Sequence, residues 1–150
     1  MNYVKLQTDI LKAKFIEDTR GRKSPFMYGF YEESVAIIID GHYIALVPKC
    51  AFYLDLGKVF PKLVPVDVKK MIKPYDTETI TDTGMIRTVG DGHKVRVFSG
   101  KNDQIWIDEK CFKYFGKDDV TEYRGTNKKR PVYLYEYELL VGMLLPVNHA

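Results

Sequence analysis

Two β-branched runs separated by Asp40-Gly41 constrain the fold of this chain more than any other feature. Val35–Ile39 precedes the dipeptide, and Tyr43–Val47 follows it and stops at Pro48. A tight primed turn requires positive φ at both central residues, and Asp-Gly adopts it readily. The sequence therefore predicts an antiparallel hairpin here, with alternate side chains turned inward along each strand.

The rest of the chain predicts more strands and two short helices. Gly90–His93 is expected to close a second hairpin between Met85–Val89 and Lys94–Phe98. Thr8 and Asp108 are expected to cap helices over Thr8–Asp18 and Asp108–Phe115. Tyr75–Gly84, rich in Thr and Asp, is predicted to be a loop. The further predicted strands are Tyr3–Leu6, Phe26–Tyr31, Gln104–Ile107, Val120–Tyr123, Pro131–Tyr135 and Leu139–Leu145.

Length and composition predict one globular domain. The chain has 150 residues, of which 45% are hydrophobic and 13% aromatic, enough for a core without staples. We expect an α+β fold, a β-rich antiparallel sheet with two short helices in a single domain 1–150, with halves 1–74 and 75–150 as an alternative division. The predicted core is Ile10, Leu11, Phe15, Val35, Ile37, Ile39, Ile44, Leu46, Val95, Val97, Trp106, Phe112, Phe115, Leu134, Val141 and Leu144.

The cysteines and the apolar runs indicate a cytoplasmic protein without a membrane partner. Cys50 and Cys111 lie in apolar or aromatic surroundings, which is typical of buried free thiols in a reducing compartment. The first twelve residues resemble no signal peptide, and no apolar run approaches the roughly 20 residues that span a bilayer.

Two segments of the chain have a similar order of elements. Asp40-Gly41-His42 recurs as Asp91-Gly92-His93, and each half predicts a strand, a helix and three strands. One interpretation is a tandem βαβββ duplication. The other, which we favour, is coincidence, because hairpins reuse Asp-Gly for steric reasons.

A D-G-H hairpin and a last strand ending in Leu-Leu-Pro-Val carry a family resemblance. With Asp40-Gly41-His42 and Leu144–Val147 as the matching residues, the chain resembles one domain of a DNA sliding clamp, and also small proteins of prophages and mobile elements. The resemblance implies a non-catalytic processivity factor that encircles duplex DNA. The prolines within Cys50–Gly84 depart from the clamp pattern, and one domain would have to self-associate as a homo-oligomer to close a ring.

Candidate chemical groups favour structural roles over catalysis. Asp40, His42, Asp91 and His93 could converge on zinc or iron, but turn geometry already explains both Asp-Gly pairs. Cys111 beside Trp106 and Phe112 suits a core position better than a nucleophile. His149 is predicted to be a mobile terminal residue. We therefore assign no catalytic residue, no metal ligand and no cofactor.

Basic segments are the strongest functional signal. If they converged on one face, they would contact phosphates, with Tyr123 and Tyr133 available for stacking; the alternative is that they are ordinary solubilising charges. The candidate nucleic-acid-binding residues are Arg20, Arg22, Lys23, Lys69, Lys70, Lys73, Lys128, Lys129 and Arg130.

Three functional hypotheses remain open. The first is a non-catalytic binding protein of phage or mobile-element type, whose partner is duplex DNA or a DNA-processing protein. The second is a protein–protein interaction module or inhibitor, and the third is a small metal-dependent hydrolase using the D-G-H turns. The aromatic surface expected for the second comprises Tyr28, Tyr31, Tyr133, Tyr135 and Tyr137.

Overall fold

Residues 1–148 of the computed structural model divide into two units, each with a core of its own. The N-terminal unit is Asn2–Ile72, and the C-terminal unit begins at Lys73 and includes Met1. The predicted class, a β-rich α+β fold built on antiparallel sheet, is confirmed. No helix in residues 1–148 is both long enough and apolar enough to cross a bilayer.

The N-terminal unit combines an antiparallel three-stranded sheet with two helices. Its elements are α1 (Tyr3–Arg20), β1 (Phe26–Tyr31), β2 (Ser34–Ile39), β3 (Tyr43–Pro48) and α2 (Leu56–Val59), followed by a 3-10 turn at Val68–Lys70. The strands lie in the order β1-β2-β3. The predicted hairpin is confirmed: Asp40 and Gly41 have φ of 53° and 68°, and the His42 N–H donates to the Ile39 carbonyl at 3.0 Å.

Burial along β2 and β3 does not alternate. Val35–Ile39 and Tyr43–Val47 are buried at every position, so both faces of these strands are covered. In the neighbouring strand β1, Tyr28 is covered by Phe60, which follows α2, with 5.1 Å between the ring centroids. The expected alternation of inward and outward side chains is therefore wrong for these two strands.

Helix α1 is longer than predicted and buries a different face. Asn2, not Thr8, caps it, accepting the Lys5 N–H at 3.0 Å, so the predicted strand at Tyr3–Leu6 is wrong. The buried residues of α1 are Leu6, Gln7 and Ile10. Two predicted core residues, Leu11 and Phe15, point away from that face and are 49% and 65% exposed.

The C-terminal unit is a six-stranded antiparallel sheet. Its strands are β4 (Glu78–Val89), β5 (His93–Ser99), β6 (Gln104–Asp108), β7 (Glu122–Gly125), β8 (Val132–Glu136) and β9 (Leu139–Leu144). Their order is β9-β8-β7-β4-β5-β6. Strand β4 begins within the segment predicted to be a loop, because Glu78–Ile80 pairs with β7.

Three further predictions fail in detail, and the tandem repeat, the interpretation that we did not favour, lacks support. The helix expected over Asp108–Phe115 is a 3-10 turn at Glu109–Phe112, although Asp108 does cap it, accepting the Lys110 N–H at 3.0 Å. Trp106 is half-buried rather than in the core, and Cys50 is exposed, whereas Cys111 is buried as expected. The N-terminal unit also begins with a helix and not a strand, so it lacks the first element of a βαβββ repeat.

Candidate nucleic-acid interface

Strand pairing brings three turns of the C-terminal unit to one end of its sheet. Strand β4 begins at Glu78 opposite the last residue of β7, Gly125, and Thr81 lies opposite the last residue of β5, Ser99. The segment before β4, the β5–β6 turn and the β7–β8 turn therefore lie at the same end. They carry five basic residues, which we call the basic rim: Lys73, Lys101, Lys128, Lys129 and Arg130.

Tyr133 joins two parts of the basic rim. Its hydroxyl accepts a hydrogen bond from the Lys73 backbone N–H at 2.9 Å. Burial raises the pKa of Tyr133, while this hydrogen bond and the charge of Arg130 act in the opposite direction. The hydrogen bond thus ties the segment of Lys73 to β8, the strand that follows the turn of Arg130.

A second contact joins the β5–β6 and β7–β8 turns. The Lys128 N–H donates to Asp103 Oδ2 at 3.2 Å, and the Asp103 carbonyl accepts the Gly100 N–H at 2.9 Å. Lys101 lies exposed within the Gly100–Asp103 turn, so the contact places it beside Lys128. Lys101 was not predicted from the sequence, because only the order of the strands reveals which turns are neighbours.

The β7–β8 turn is closed by hydrogen bonds from its own backbone N–H groups, and its basic side chains take no part in them. Asn127 Oδ1 accepts the Lys129 N–H at 2.9 Å, and the Asn127 carbonyl accepts the Arg130 N–H at 3.3 Å. Lys129 and Arg130 are exposed and Lys128 is half-buried. No side chain of the basic rim forms an ion pair within residues 1–148. The nearby carboxylates are Asp76, Glu78 and Asp103.

The remaining candidate basic residues belong to the N-terminal unit and lie among acidic neighbours. Arg20 ends α1, and Arg22 and Lys23 follow it exposed. Lys69 and Lys70 are exposed in the 3-10 turn, where Lys70 pairs with Asp67 at 3.7 Å. Lys70 is thus partly neutralised, whereas Arg20, Arg22, Lys23 and Lys69 form no ion pair within residues 1–148.

Lys23 lies at the wall of a cavity of about 740 Å³ in the N-terminal unit. Lys23 lines it with Glu17 and Asp40, between the C-terminal half of α1 and the β2–β3 turn. Glu17 Oε2 accepts the Ser24 N–H at 2.8 Å. Apolar lining comes from Phe26, Met27, Val59, Phe60, Pro61 and Leu63. The sequence showed no sign of this cavity, since its lining comes from four separate segments.

The tyrosines expected for recognition are mostly unavailable. Tyr133 is 2% exposed, which leaves its ring no room to stack on a base, and the half-buried Tyr123 packs against Phe98 with the ring centroids 4.8 Å apart. Tyr28 is also buried, Tyr31 and Tyr135 are half-buried and Tyr137 is 84% exposed, so only part of the tyrosine set proposed for a protein partner lies on the surface. Tyr75, which the sequence analysis passed over, is 74% exposed and lies two residues after Lys73.

The D-G-H turns are exposed hairpin tips. Asp40, His42, Asp91 and His93 are all exposed at the β2–β3 and β4–β5 turns. In residues 1–148, no three His, Cys, Asp or Glu side chains lie close enough together to hold a metal ion. His149 lies outside the residues that the structure describes.

These features define a class: a β-rich α+β chain with an unpaired cationic surface formed by turns at one end of an antiparallel sheet. Comparison with protein families, with curated protein sequences and with solved structures finds no match to this chain.

Proposed function

We propose that this chain is a non-catalytic DNA-binding protein that serves a DNA-processing assembly of the kind found in phages and mobile elements. The observation that carries the proposal is the basic rim, where five cations from three separate turns share one end of a sheet and form no ion pair with any other residue of 1–148. Unpaired cations gain most from a polyanion, because each phosphate contact releases condensed counterions.

The spacing of the rim suits a phosphate backbone. Strands β7 and β5 flank β4, so their turns lie about 10 Å apart at the usual strand spacing. Charges follow one another every ~3.4 Å of helix axis along each DNA strand, so a surface of this width meets several phosphates. The bonds within the β7–β8 turn fix the backbone from which Lys129 and Arg130 project, so less backbone order has to be gained on binding.

Salt dependence tests the proposal. Fluorescence anisotropy with labelled DNA is expected to show binding at about 50 mM salt that weakens strongly at about 200 mM. Alanine at Lys101, Lys129 and Arg130 together should weaken binding and flatten the slope of log K against log salt by about one unit per lost contact.

A matched control removes the same charge elsewhere in the C-terminal unit. Lys94, Lys110 and Lys117 are exposed and lie outside the basic rim, so their triple alanine variant should bind DNA almost as wild type does. Equal losses of DNA affinity in both triple variants would show that only net charge matters and that the basic rim has no special role. Absence of binding at low salt would overturn the proposal.

The sliding-clamp resemblance supports a narrower form, in which several copies assemble into a ring. Light scattering should then give a multiple of the 17.4 kDa chain mass, and the protein should stay on closed circular DNA but slide from linear DNA. A monomeric mass in the DNA-bound sample would remove the ring and leave DNA binding in place.

One observation favours a protein–protein module as a second candidate. Val4, Leu11 and Phe15 form an exposed apolar stripe on α1, and the exposed Lys5 and Lys12 beside them have no ion-pair partner in residues 1–148. Apolar anchors bordered by lysines fit a partner helix whose apolar face is bordered by Glu or Asp.

A pair of peptides tests this candidate. An amphipathic helical peptide flanked by Glu should bind the chain more tightly than the same peptide flanked by Lys. Phe15→Ala should abolish the difference, whereas Tyr53→Ala, at an exposed aromatic outside the stripe, should preserve it. Equal affinity for the two peptides would eliminate the candidate.

A further inference from the structure

Tyr75 is an exposed aromatic side chain held in a rigid turn at the basic rim. The turn is closed by the Thr77 hydroxyl, which donates to the Pro74 carbonyl at 2.7 Å, and Asp76 in its tip has a φ of 58°. Between them, Tyr75 projects with 74% of its surface exposed. Tyr53 and Tyr137 are exposed to a similar degree, so what distinguishes Tyr75 is its position two residues after Lys73 at the basic rim.

Both flanks of this turn are anchored to the sheet. On one side, the Lys73 N–H donates to the Tyr133 hydroxyl at 2.9 Å. On the other, Arg124 Nε donates to the Thr77 hydroxyl at 3.2 Å, and the Arg124 guanidinium also bonds the Thr77 carbonyl. The position of Tyr75 relative to Lys73 is thus set before any ligand arrives, which reduces the entropy lost on binding.

We propose that the basic rim, with Tyr75 as a stacking platform, binds single-stranded DNA in preference to duplex DNA. This inference rests on the proposed function and specifies the form of DNA. In a duplex, neighbouring base pairs cover both faces of each base, whereas in a single strand a base can stack on an aromatic ring while flanking phosphates meet cations.

The shape of the rim supports the same choice. The major groove of B-DNA, about 12 Å wide, is entered by an α-helix or a two-stranded ribbon. The rim consists of turns at strand ends, and neither kind of element projects from it. It therefore suits a flexible strand that follows the row of cations past Tyr75 better than it suits a groove.

Two measurements test the inference. Anisotropy titrations at low salt should show tighter binding of oligothymidine than of a duplex of equal length. Oligothymidine containing one 2-aminopurine should also lose fluorescence on binding, because stacking quenches that base analogue. Tyr75→Ala should weaken oligothymidine binding by about 5- to 150-fold and abolish the quenching.

Two variants separate stacking from other effects. Tyr75→Phe keeps the ring and should preserve both affinity and quenching. Tyr137→Ala removes an aromatic that is 84% exposed in the β8–β9 turn, at the opposite end of the sheet, and should also behave as wild type.

The outcomes distinguish this inference from the proposed function. Duplex binding that equals or exceeds single-strand binding, or a Tyr75→Ala variant with wild-type affinity and quenching, would overturn the single-strand inference and leave DNA binding intact. Absence of binding to either form at low salt would overturn both.

Discussion

Gly29 lies where the segment after α2 crosses β1. The Val66 N–H donates to the Tyr28 carbonyl at 2.8 Å, and residues 29 and 66 form an isolated parallel bridge. A Cβ built on Gly29 would stand 2.4 Å from the Val66 carbonyl oxygen and 3.0 Å from Val68 Cγ1. This residue is glycine because another backbone occupies the space of its side chain.

Gly29→Ala should therefore destabilise the N-terminal unit by about 1–3 kcal/mol or more, since backbone has to move. Urea unfolding measures the loss. Gly57→Ala is the matched control: its Cβ would be 3.4 Å from Asp55 Oδ1, an ordinary contact, and alanine favours helix α2. Equal stability of Gly29→Ala and wild type would contradict this account of the crossing.

Arg96 is a charge buried in the C-terminal unit. Glu109 holds it through two hydrogen bonds of 2.9 and 3.1 Å, and its guanidinium carbon lies 3.8 Å from the centroid of the Phe112 ring. Asp82 Oδ2 is 3.9 Å from Nη1, which forms no hydrogen bond within residues 1–148. The stability of this site depends on how fully the partners compensate the buried charge.

Glu109→Gln should cost about 2–3 kcal/mol, because it leaves the Arg96 charge buried with less compensation, although Glu109 itself is partly hydrated. Adding Arg96→Met removes the buried charge. The double variant should therefore lose about 1 kcal/mol or more less stability than the sum of the two single-variant losses. A double-mutant cycle by urea unfolding measures this coupling. Strictly additive losses would show that the ion pair does not stabilise the fold.

At the scale of elements, α1 shows how packing overrides a helical pattern. Sequence spacing pointed to Ile10, Leu11 and Phe15 as one apolar face, yet only Ile10 is buried. The buried Gln7 explains part of the difference: its side chain donates to the Ala51 carbonyl at 2.9 Å and accepts the Tyr53 N–H at 2.6 Å. The buried face is therefore the one that carries Leu6, Gln7 and Ile10, and Leu11 and Phe15 lie outside it.

Ile10→Ala should accordingly cost about 2–5 kcal/mol, the usual loss for a buried aliphatic side chain. Phe15→Ala, at a position 65% exposed on the same helix, should cost less than about 1 kcal/mol. Chemical denaturation of the two variants compares them directly. A Phe15→Ala loss as large as that of Ile10→Ala would mean that this face is covered.

At the scale of the whole molecule, the placement of charge matters more than its sum. The net charge of +3 indicates little about a partner, yet five cations share the basic rim. The fold also changes the titration of two tyrosines. Burial raises the pKa of Tyr123 and of Tyr133, because the phenolate is disfavoured away from water. Stability at high pH is therefore a property of the folded whole.

The sign follows from linkage. In the unfolded chain these tyrosines titrate near pH 10, and in the folded chain they titrate higher, so the unfolded state loses protons first. The stability they contribute is complete below about pH 10 and is lost as the pH rises through the folded pKa values.

The free energy of unfolding should thus fall above about pH 10, with each such tyrosine adding at most about 1.4 kcal/mol per pH unit to the slope. Replacing Tyr123 and Tyr133 by Phe should make the decline shallower even if it lowers stability at pH 8, where both residues are protonated. Urea unfolding across the pH range measures the slope, and an unchanged slope in the double variant would refute the assignment.

Local geometry could be predicted from the sequence by itself. Asp40-Gly41 requires a tight turn whatever surrounds it, and the β-branched runs beside it pair as expected. The second hairpin, five further strands after the first helix and the Asp108 cap were recognised for the same reason, that neighbouring residues decide them. The basic character of Lys128–Arg130 was also evident from the chain alone.

Only the tertiary structure decided which turns are neighbours and which faces are covered. Lys101 and Lys73 join Lys128–Arg130 because β7 pairs with β4 and β4 with β5, and pairing between distant strands leaves no local trace in the sequence. Tyr133 was buried and Tyr75 exposed for the same reason. Local sterics act within a few residues, whereas burial depends on which distant segment packs against a side chain.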